Sequence, residues 1–305
     1  MTIADRTTAS VQTIIALHCS GANGSQWRAL EDMLDAGSRL IAPDHYGCES
    51  VGPWPGERAF SIDDEAARTL AIVDATERKV HLVGHSYGGG VALHIALLRP
   101  HRIASLSLYE PSAFHLLPQC GREGSAAYGE IARLARETTD RIAEGDCRGA
   151  VARFVDYWNG PDAWGAMAPR VQAALTRWAP KIPLDFRALM RTAARLDDYS
   201  ALTFPVLLLR GEHAPDPTRI ISDTLAGVFP RGRLRVIPGC GHMGPLTHAD
   251  RVLPLIAARI AAAAAAMPGL RRSVEAARRH DGPLADKSHR LHDHPCAPSP
   301  FGAPI

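Results

Sequence analysis

Six short stretches of this chain are almost unbroken runs of aliphatic residues: "TIIALH" (13–18), "RLIAPD" (39–44), "VHLVGHS" (80–86), "IASLSLYE" (103–110), "PVLLLRG" (205–211) and "RLRVIPG" (233–239). Runs of this kind suit strands that are buried on both faces of a parallel sheet. Amphipathic stretches such as "QWRALEDMLD" and "SIDDEAARTLAIVDAT" lie between them. The second opens on Ser61 as an N-cap, with Asp63, Asp64 and Glu65 in the first turn, where the helix dipole favours acids. Strand and helix in alternation imply an α/β fold, a doubly wound and mostly parallel sheet.

The alternation stops between residues 112 and 203. That stretch carries helical patterns ("YGEIARLARETTDRIAEG", "GAVARFVDYWNG", "PRVQAALTRWAP", "LDFRALMRTAARL") and no convincing strand. An all-helical insertion after a strand is expected to form a cap over the C-terminal edge of the sheet. Residues 1–111 and 204–267 would then make the core, with 112–203 the helical cap. After residue 268 the chain turns polar and rich in Pro, Arg and His, which predicts a disordered tail. His280, His289, His292, His294 and Cys296 fall in that tail, where no supporting shell argues for a metal site.

The 305 residues are long enough for one large domain with a substantial core. A formal charge of +2 argues for neither nucleic acid nor an anionic membrane as partner. The six cysteines are scattered without a CxxC pair, a pattern that fits reduced thiols and a cytoplasmic location better than a disulfide framework. Cys19, Cys48 and Cys240 sit in loops expected near the site and read as small packing residues. The polar opening "MTIADRTTASVQ" has no apolar leader segment, and no apolar run approaches the roughly 20 residues of a membrane-spanning helix. No phosphate-binding loop, HExxH or dinucleotide fingerprint is present, so neither a cofactor nor a metal is expected.

One junction carries chemistry. The run "VHLVGHSYGGGVALHIALLRP" passes from strand to helix through Gly84-His85-Ser86-Tyr87-Gly88, a G-x-S-x-G. Flanked by a buried strand and by a helix from Tyr87 to Leu98 that Pro100 stops, the serine is expected on a sharp, strained turn. Glycines at 84 and 88 would let strand and helix approach closely. Together with "LHCSGANGSQW", "IAPDHYGCESVGPW" and "VIPGCGHMGPLTH", this junction makes residues 13–265 resemble an α/β-hydrolase.

The resemblance implies a serine hydrolase with a catalytic triad, in which Ser86 is the nucleophile and His242 the base. The backbone N–H groups of Tyr87 and Ser20 would form the oxyanion hole, although Cys19 stands where the family usually has glycine. Packing is the expected role of His85. The third member departs from the common pattern: "LLLRGEHAPDPT" places Ala214 where the acid usually follows the next-to-last strand. Two carboxylates are candidates. Glu110 ends the strand after the junction, a position from which some relatives take their acid. Asp216 lies between two prolines and also suits an N-cap. Glu110 is preferred, and Asp216 remains open. The expected reaction is cleavage of a small ester, lactone or related acyl substrate with an apolar portion, through an acyl-enzyme. C–C hydrolysis, perhydrolysis and a non-hydrolysing ligand receptor are the alternatives. Neither the substrate nor the oligomeric state is legible.

Overall fold

The computed structural model describes residues 12–266. The polar N-terminal stretch, the tail after 268 and its histidines therefore lie outside the described residues. Six parallel strands form one sheet: β1 (Gln12–Leu17), β2 (Ser38–Ile41), β3 (Val80–His85), β4 (Ile103–Tyr109), β5 (Val206–Gly211) and β6 (Gly232–Ile237), in the order β2-β1-β3-β4-β5-β6. All six coincide with the six apolar runs. The helices are α1 (Arg28–Glu31), α2 (Ile62–Ala75), α3 (Tyr87–Leu98), α4 (Gly121–Ala143), α5 (Cys147–Asn159), α6 (Ala163–Ala166), α7 (Pro169–Trp178), α8 (Ile182–Met190), α9 (Leu196–Ser200), α10 (Asp216–Val228), α11 (Gly244–Thr247) and α12 (Ala249–Ala265).

Alternate residues of each strand face opposite sides of the sheet, so two cores form. Ile15, Leu17, Leu82, Leu106 and Leu108 pack toward α2, α3 and α10. Ile14, Ala16, Val83, Leu207 and Leu209 pack with Trp27 and Leu30 and with Val252, Leu253 and Ile256 of α12. The central strands β3 and β4 are buried on both faces, as continuous apolar runs require. The edge strands are not. In β6, Arg233, Arg235 and Val236 are exposed, because only one edge and one face of that strand meet the rest of the sheet. Charged side chains on an exposed edge also discourage pairing with another chain.

Ser61 precedes α2, and the Asp64 carboxylate accepts hydrogen bonds from its N–H (2.9 Å) and its hydroxyl (2.8 Å), closing the start of the helix. The expected helix over 26–35 is shorter, a 3-10 turn over Gly24–Trp27 continued by α1. The pattern over 184–196 divides into α8 and α9. Residues 112–203 contain helices and no strand. They lie against α3 and α10 and supply most of the apolar lining of the cavity described next.

Candidate active site

In a parallel sheet the loops that follow the strands share one edge, and ligands collect in the crevice outside the strand C-termini. Ser20 follows β1, Ser86 follows β3, Glu110 follows β4 and His242 follows β6. The structure brings the last three into one line. Ser86 Oγ lies 2.9 Å from His242 Nε2, and His242 Nδ1 lies 2.7 Å from Glu110 Oε2.

Ser86 adopts φ 53° and ψ −116°, and Glu110 adopts φ 42°. Among the described residues only three non-glycine positions have positive φ, and these are two of them. Backbone of this kind persists only where its surroundings fix it. Here Ser86 N–H donates to Tyr109 O (3.0 Å) and Ser112 N–H donates to Ser86 O (2.9 Å), which ties the turn to the end of β4. The turn also depends on Gly84 and Gly88. A Cβ on Gly84 would sit 2.6 Å from Gly88 O, and one on Gly88 would sit 2.3 Å from Leu17 O. The second contact is with the end of β1, so Gly88 admits the neighbouring strand as well as its own.

Glu110 is fully buried, and its carboxylate is fully engaged. Oε1 accepts from Gly211 N–H at the end of β5 (2.9 Å). Oε2 accepts from the Thr218 hydroxyl (2.9 Å) and from the His242 ring. A buried carboxylate is tolerable when its lone pairs are met in this way. Asp216 is elsewhere. It is the first residue of α10, after Pro215 at the N-cap, and pairs with Arg219 at 2.8 Å on the surface. Ala214 leaves its loop without an acid, and Thr218 from the following helix supports Glu110 instead.

The loop bearing His242 is held from two sides. Tyr109 Oη donates to Gly241 O at 2.7 Å, and His85 Nε2 donates to His242 O at 2.8 Å. His85 Nδ1 accepts from the Gln26 amide at 3.1 Å, which fixes its tautomer. Burial, reinforced by His242, pushes the His85 pKa down to about 3, so the ring stays neutral. His85 therefore does more than pack, because it positions the main chain of residue 242. The Trp158 ring, carried by α5, stacks on the His242 imidazole with centroids 4.4 Å apart.

A cavity of about 160 Å³ opens beside Ser86. Val151, Phe154, Val155, Leu175 and Trp178 from the helical segment line it, with Met243 and Leu246 beyond His242. A smaller pocket of about 10 Å³ between Ser86, Ser20, Ser112 and Asp185 is room for a single water. No lysine or arginine lines either space. Cys19 and Cys240 are buried free thiols, and Cys48 is a half-buried one. Burial pushes Cys19 and Cys48 up to about 12, which keeps them protonated and unreactive. His18, Asp44 and Cys48 bring possible ligand atoms together. Both ring nitrogens of His18 are already used, with Nδ1 donating to Cys19 O (2.8 Å) and Nε2 accepting from His45 N–H (3.1 Å).

A family model described as the alpha/beta hydrolase family matches residues 14–255. The chain belongs to that family. Among its relatives, 2-hydroxymuconate semialdehyde hydrolase of Pseudomonas sp. (strain CF600) is 26% identical over 268 residues, which cover 83% of this chain and 88% of the relative. Pimeloyl-[acyl-carrier protein] methyl ester esterase of Nitrosomonas europaea is 23% identical over 243 residues, covering 77% and 90%. The solved structure of 2-hydroxy-6-oxo-6-phenylhexa-2,4-dienoate hydrolase from Rhodococcus sp. strain RHA1 shares the fold with a TM-score of 0.61 at 20% identity, over 82% of this chain and 90% of that one. Family and relatives together support a hydrolase. No helix among the described residues is long and apolar enough to cross a membrane.

Several neighbours of the site left no mark in the sequence. Ser112 Oγ, 3.2 Å from Ser86 Oγ, follows an unremarkable Glu-Pro pair. Trp158 sits 84 positions before His242 and was noted only as apolar content of the helical segment. Gln26 orients His85 and also accepts from Cys19 N–H at 3.1 Å.

Proposed function

We propose that this chain is a cofactor-independent serine hydrolase acting on a small, uncharged ester or lactone. Ser86 attacks the carbonyl carbon, and its proton passes to His242 Nε2 as the tetrahedral oxyanion forms. Collapse of that intermediate breaks the bond to the leaving alcohol, which takes the proton back from His242. Water, deprotonated by the same nitrogen, then releases the acid and restores Ser86. Glu110 holds Nδ1–H, so that Nε2 is the nitrogen free to accept, and it stabilises the imidazolium. The single observation that carries this reading is the unbroken relay from Ser86 through His242 to Glu110, at 2.9 and 2.7 Å.

The backbone supports Tyr87 and Ser20 as oxyanion donors. Tyr87 is the first residue of α3, so its N–H has no acceptor within the helix. The peptide joining Cys19 to Ser20 has its carbonyl held by His18 Nδ1–H and by Ala22 N–H (3.2 Å). In a planar trans peptide the N–H points opposite to the C=O, so Ser20 N–H is turned away from those two donors. Residues 112–203 act in this reading as a cap, because α5 and α7 close the apolar side of the cavity.

The cavity narrows the substrate. A void of about 150 Å³ with aliphatic and aromatic walls accepts a benzene ring, so an aromatic ring or a six-carbon chain suits the space beside Ser86. The absence of a cation in the lining and the presence of Asp185 both disfavour an anionic substrate. A fluorophosphonate probe tests the proposal. Wild-type protein should be labelled at Ser86 and Ser86→Ala should not, and phenyl-bearing p-nitrophenyl esters should be cleaved faster than esters with a carboxylate-terminated acyl chain. An unlabelled wild type would leave a ligand-binding protein on the same fold.

A further inference from the structure

Behind the oxyanion site lies a group of buried charges that the reaction itself does not use. Lys181, just before α8, has a side chain only 3% exposed. Its ammonium donates to Glu65 Oε2 (2.7 Å), to Tyr87 Oη (3.2 Å) and to Asp185 Oδ1. Tyr87 Oη donates to the same Glu65 oxygen at 2.7 Å, and Ser20 Oγ donates to Asp185 Oδ2 at 2.6 Å. Burial alone would discharge the lysine. The two carboxylates outweigh it and hold the Lys181 pKa above its ordinary value. Glu65 also accepts from Tyr46 N–H and faces His45 Nδ1 at 3.3 Å.

The two ends of this network are the side chains of Ser20 and Tyr87, the residues whose N–H groups are assigned above to the oxyanion. Stability does not call for such an arrangement, since well-packed apolar residues in place of a buried ion pair are often neutral or stabilising. A positive field does not explain it either, because two carboxylates face one ammonium. What remains is geometry. We propose that Lys181 and Asp185 are positioning residues for the oxyanion site, clamping the Ser20 loop and the start of α3 to one buried anchor carried by the helical segment. The inference rests on the serine-hydrolase reading of Ser86, Ser20 and Tyr87. It implies that the donors are aligned only while residues 112–203 are seated on the sheet.

Three variants cut the network at different points. Ser20→Ala removes the tether and keeps the N–H, Asp185→Leu removes its acceptor, and Asp185→Asn keeps an amide able to bond both Lys181 and Ser20. Turnover of a p-nitrophenyl ester should fall about tenfold or more in the first two variants, because small misplacements of an aligned group cost factors of this order or larger. KM should stay within about twofold, and Asp185→Asn should stay within about threefold of wild type, magnitudes set by the same alignment argument. Binding of 1,1,1-trifluoro-3-phenylpropan-2-one, which Ser86 converts into a hemiketal oxyanion, should weaken in parallel with kcat/KM. Ser20→Ala buries no unpaired charge, so it remains informative if Asp185→Leu fails to fold.

Turnover and ketone affinity unchanged in Ser20→Ala, with Ser86 still labelled by fluorophosphonate, would overturn the positioning role alone. Faster turnover in Asp185→Asn and Asp185→Leu would do the same, because it would mean that the acid acts only through its unfavourable field. An unlabelled wild type would remove the underlying serine reading, and this inference with it.

Discussion

Glu110→Gln tests the least conventional part of the proposed site, and its outcome follows from counting donors and acceptors. Three donors converge on the carboxylate: Gly211 N–H, the Thr218 hydroxyl and His242 Nδ1–H. A glutamine amide offers one oxygen and one NH2. With the oxygen toward Gly211, the NH2 faces Nδ1 and donates to it, so the ring proton moves to Nε2, where it blocks acceptance from Ser86. With the oxygen toward His242, the NH2 meets Gly211 N–H and two donors face each other in a buried pocket. The first arrangement sacrifices catalysis and the second sacrifices stability. A wrong tautomer in a comparable relay costs about 10⁴ in kcat, or about 5.5 kcal/mol. One buried unmatched donor costs about 1–3 kcal/mol, and at about 2–4 °C per kcal/mol in a chain of this size the melting temperature falls by about 2–12 °C. The assay is steady-state hydrolysis of a phenyl-bearing p-nitrophenyl ester, with a thermal melt on the same sample. Asp216→Asn is the control: that side chain is 65% exposed and pairs only with its helix neighbour Arg219, so its effect should stay within about twofold. Retention of more than a tenth of wild-type activity in Glu110→Gln, with a collapse in Asp216→Asn, would refute the reasoning and move the acid to the β5–α10 loop.

Two further outcomes concern stability. The positive φ at Ser86 is strain that alanine keeps and glycine relieves, so Ser86→Gly should melt about 2–4 °C above Ser86→Ala, a difference of about 1 kcal/mol; equal melting would mean that the turn is unstrained. Burial lowers His81 to about 4 and His85, with help from His242, to about 3. Both rings are thus neutral when folded and take up a proton near pH 6.5 when unfolded. Their contribution is complete above that pH and is lost as the pH falls toward 4 and then 3, at about 2 kcal/mol per histidine by pH 5. Urea unfolding at pH 7 and pH 5 measures it; a flat profile would sink the assignment, and His81→Asn should reduce the slope by about one proton.

The fold was legible because its strands announce themselves through burial. Six aliphatic runs became six strands, and the helical interval 112–203 was visible as the place where such runs cease. What the runs could not tell was which strands are edges, since "RLRVIPG" is nearly as apolar as "VHLVGHS" and only the arginines of β6 betray its exposed face. At the site, a local motif pointed to Ser86 because the turn, the glycines and the helix are contiguous in the chain. The choice between Glu110 and Asp216 was not decidable locally, since it depends on strand order and on where a loop 132 positions away delivers a histidine. Lys181, Asp185 and Glu65 were invisible for a related reason. In sequence they read as ordinary surface charges, and only the packing of the helical segment against α2 buries them together.

Placing the acid after β4 changes how the site is assembled. Had residue 214 carried it, three loops, after β3, β5 and β6, would each have to be set independently to within a few tenths of an ångström. With the carboxylate at Glu110, the hydrogen bonds from Ser86 N–H to Tyr109 O and from Ser112 N–H to Ser86 O join nucleophile and acid into one unit across the two innermost strands of the site. Only His242 must then be delivered from a distance, and the same unit receives it. Tyr109 bonds the carbonyl of residue 241 and His85 that of residue 242, so the residues flanking Glu110 and Ser86 anchor the third partner. The loop after β5 is left with a lighter task, supplying Gly211 N–H and Thr218 Oγ1 to a carboxylate it no longer carries. An acid placed back at position 214 would therefore have to displace Glu110 from its three donors before it could reach the imidazole.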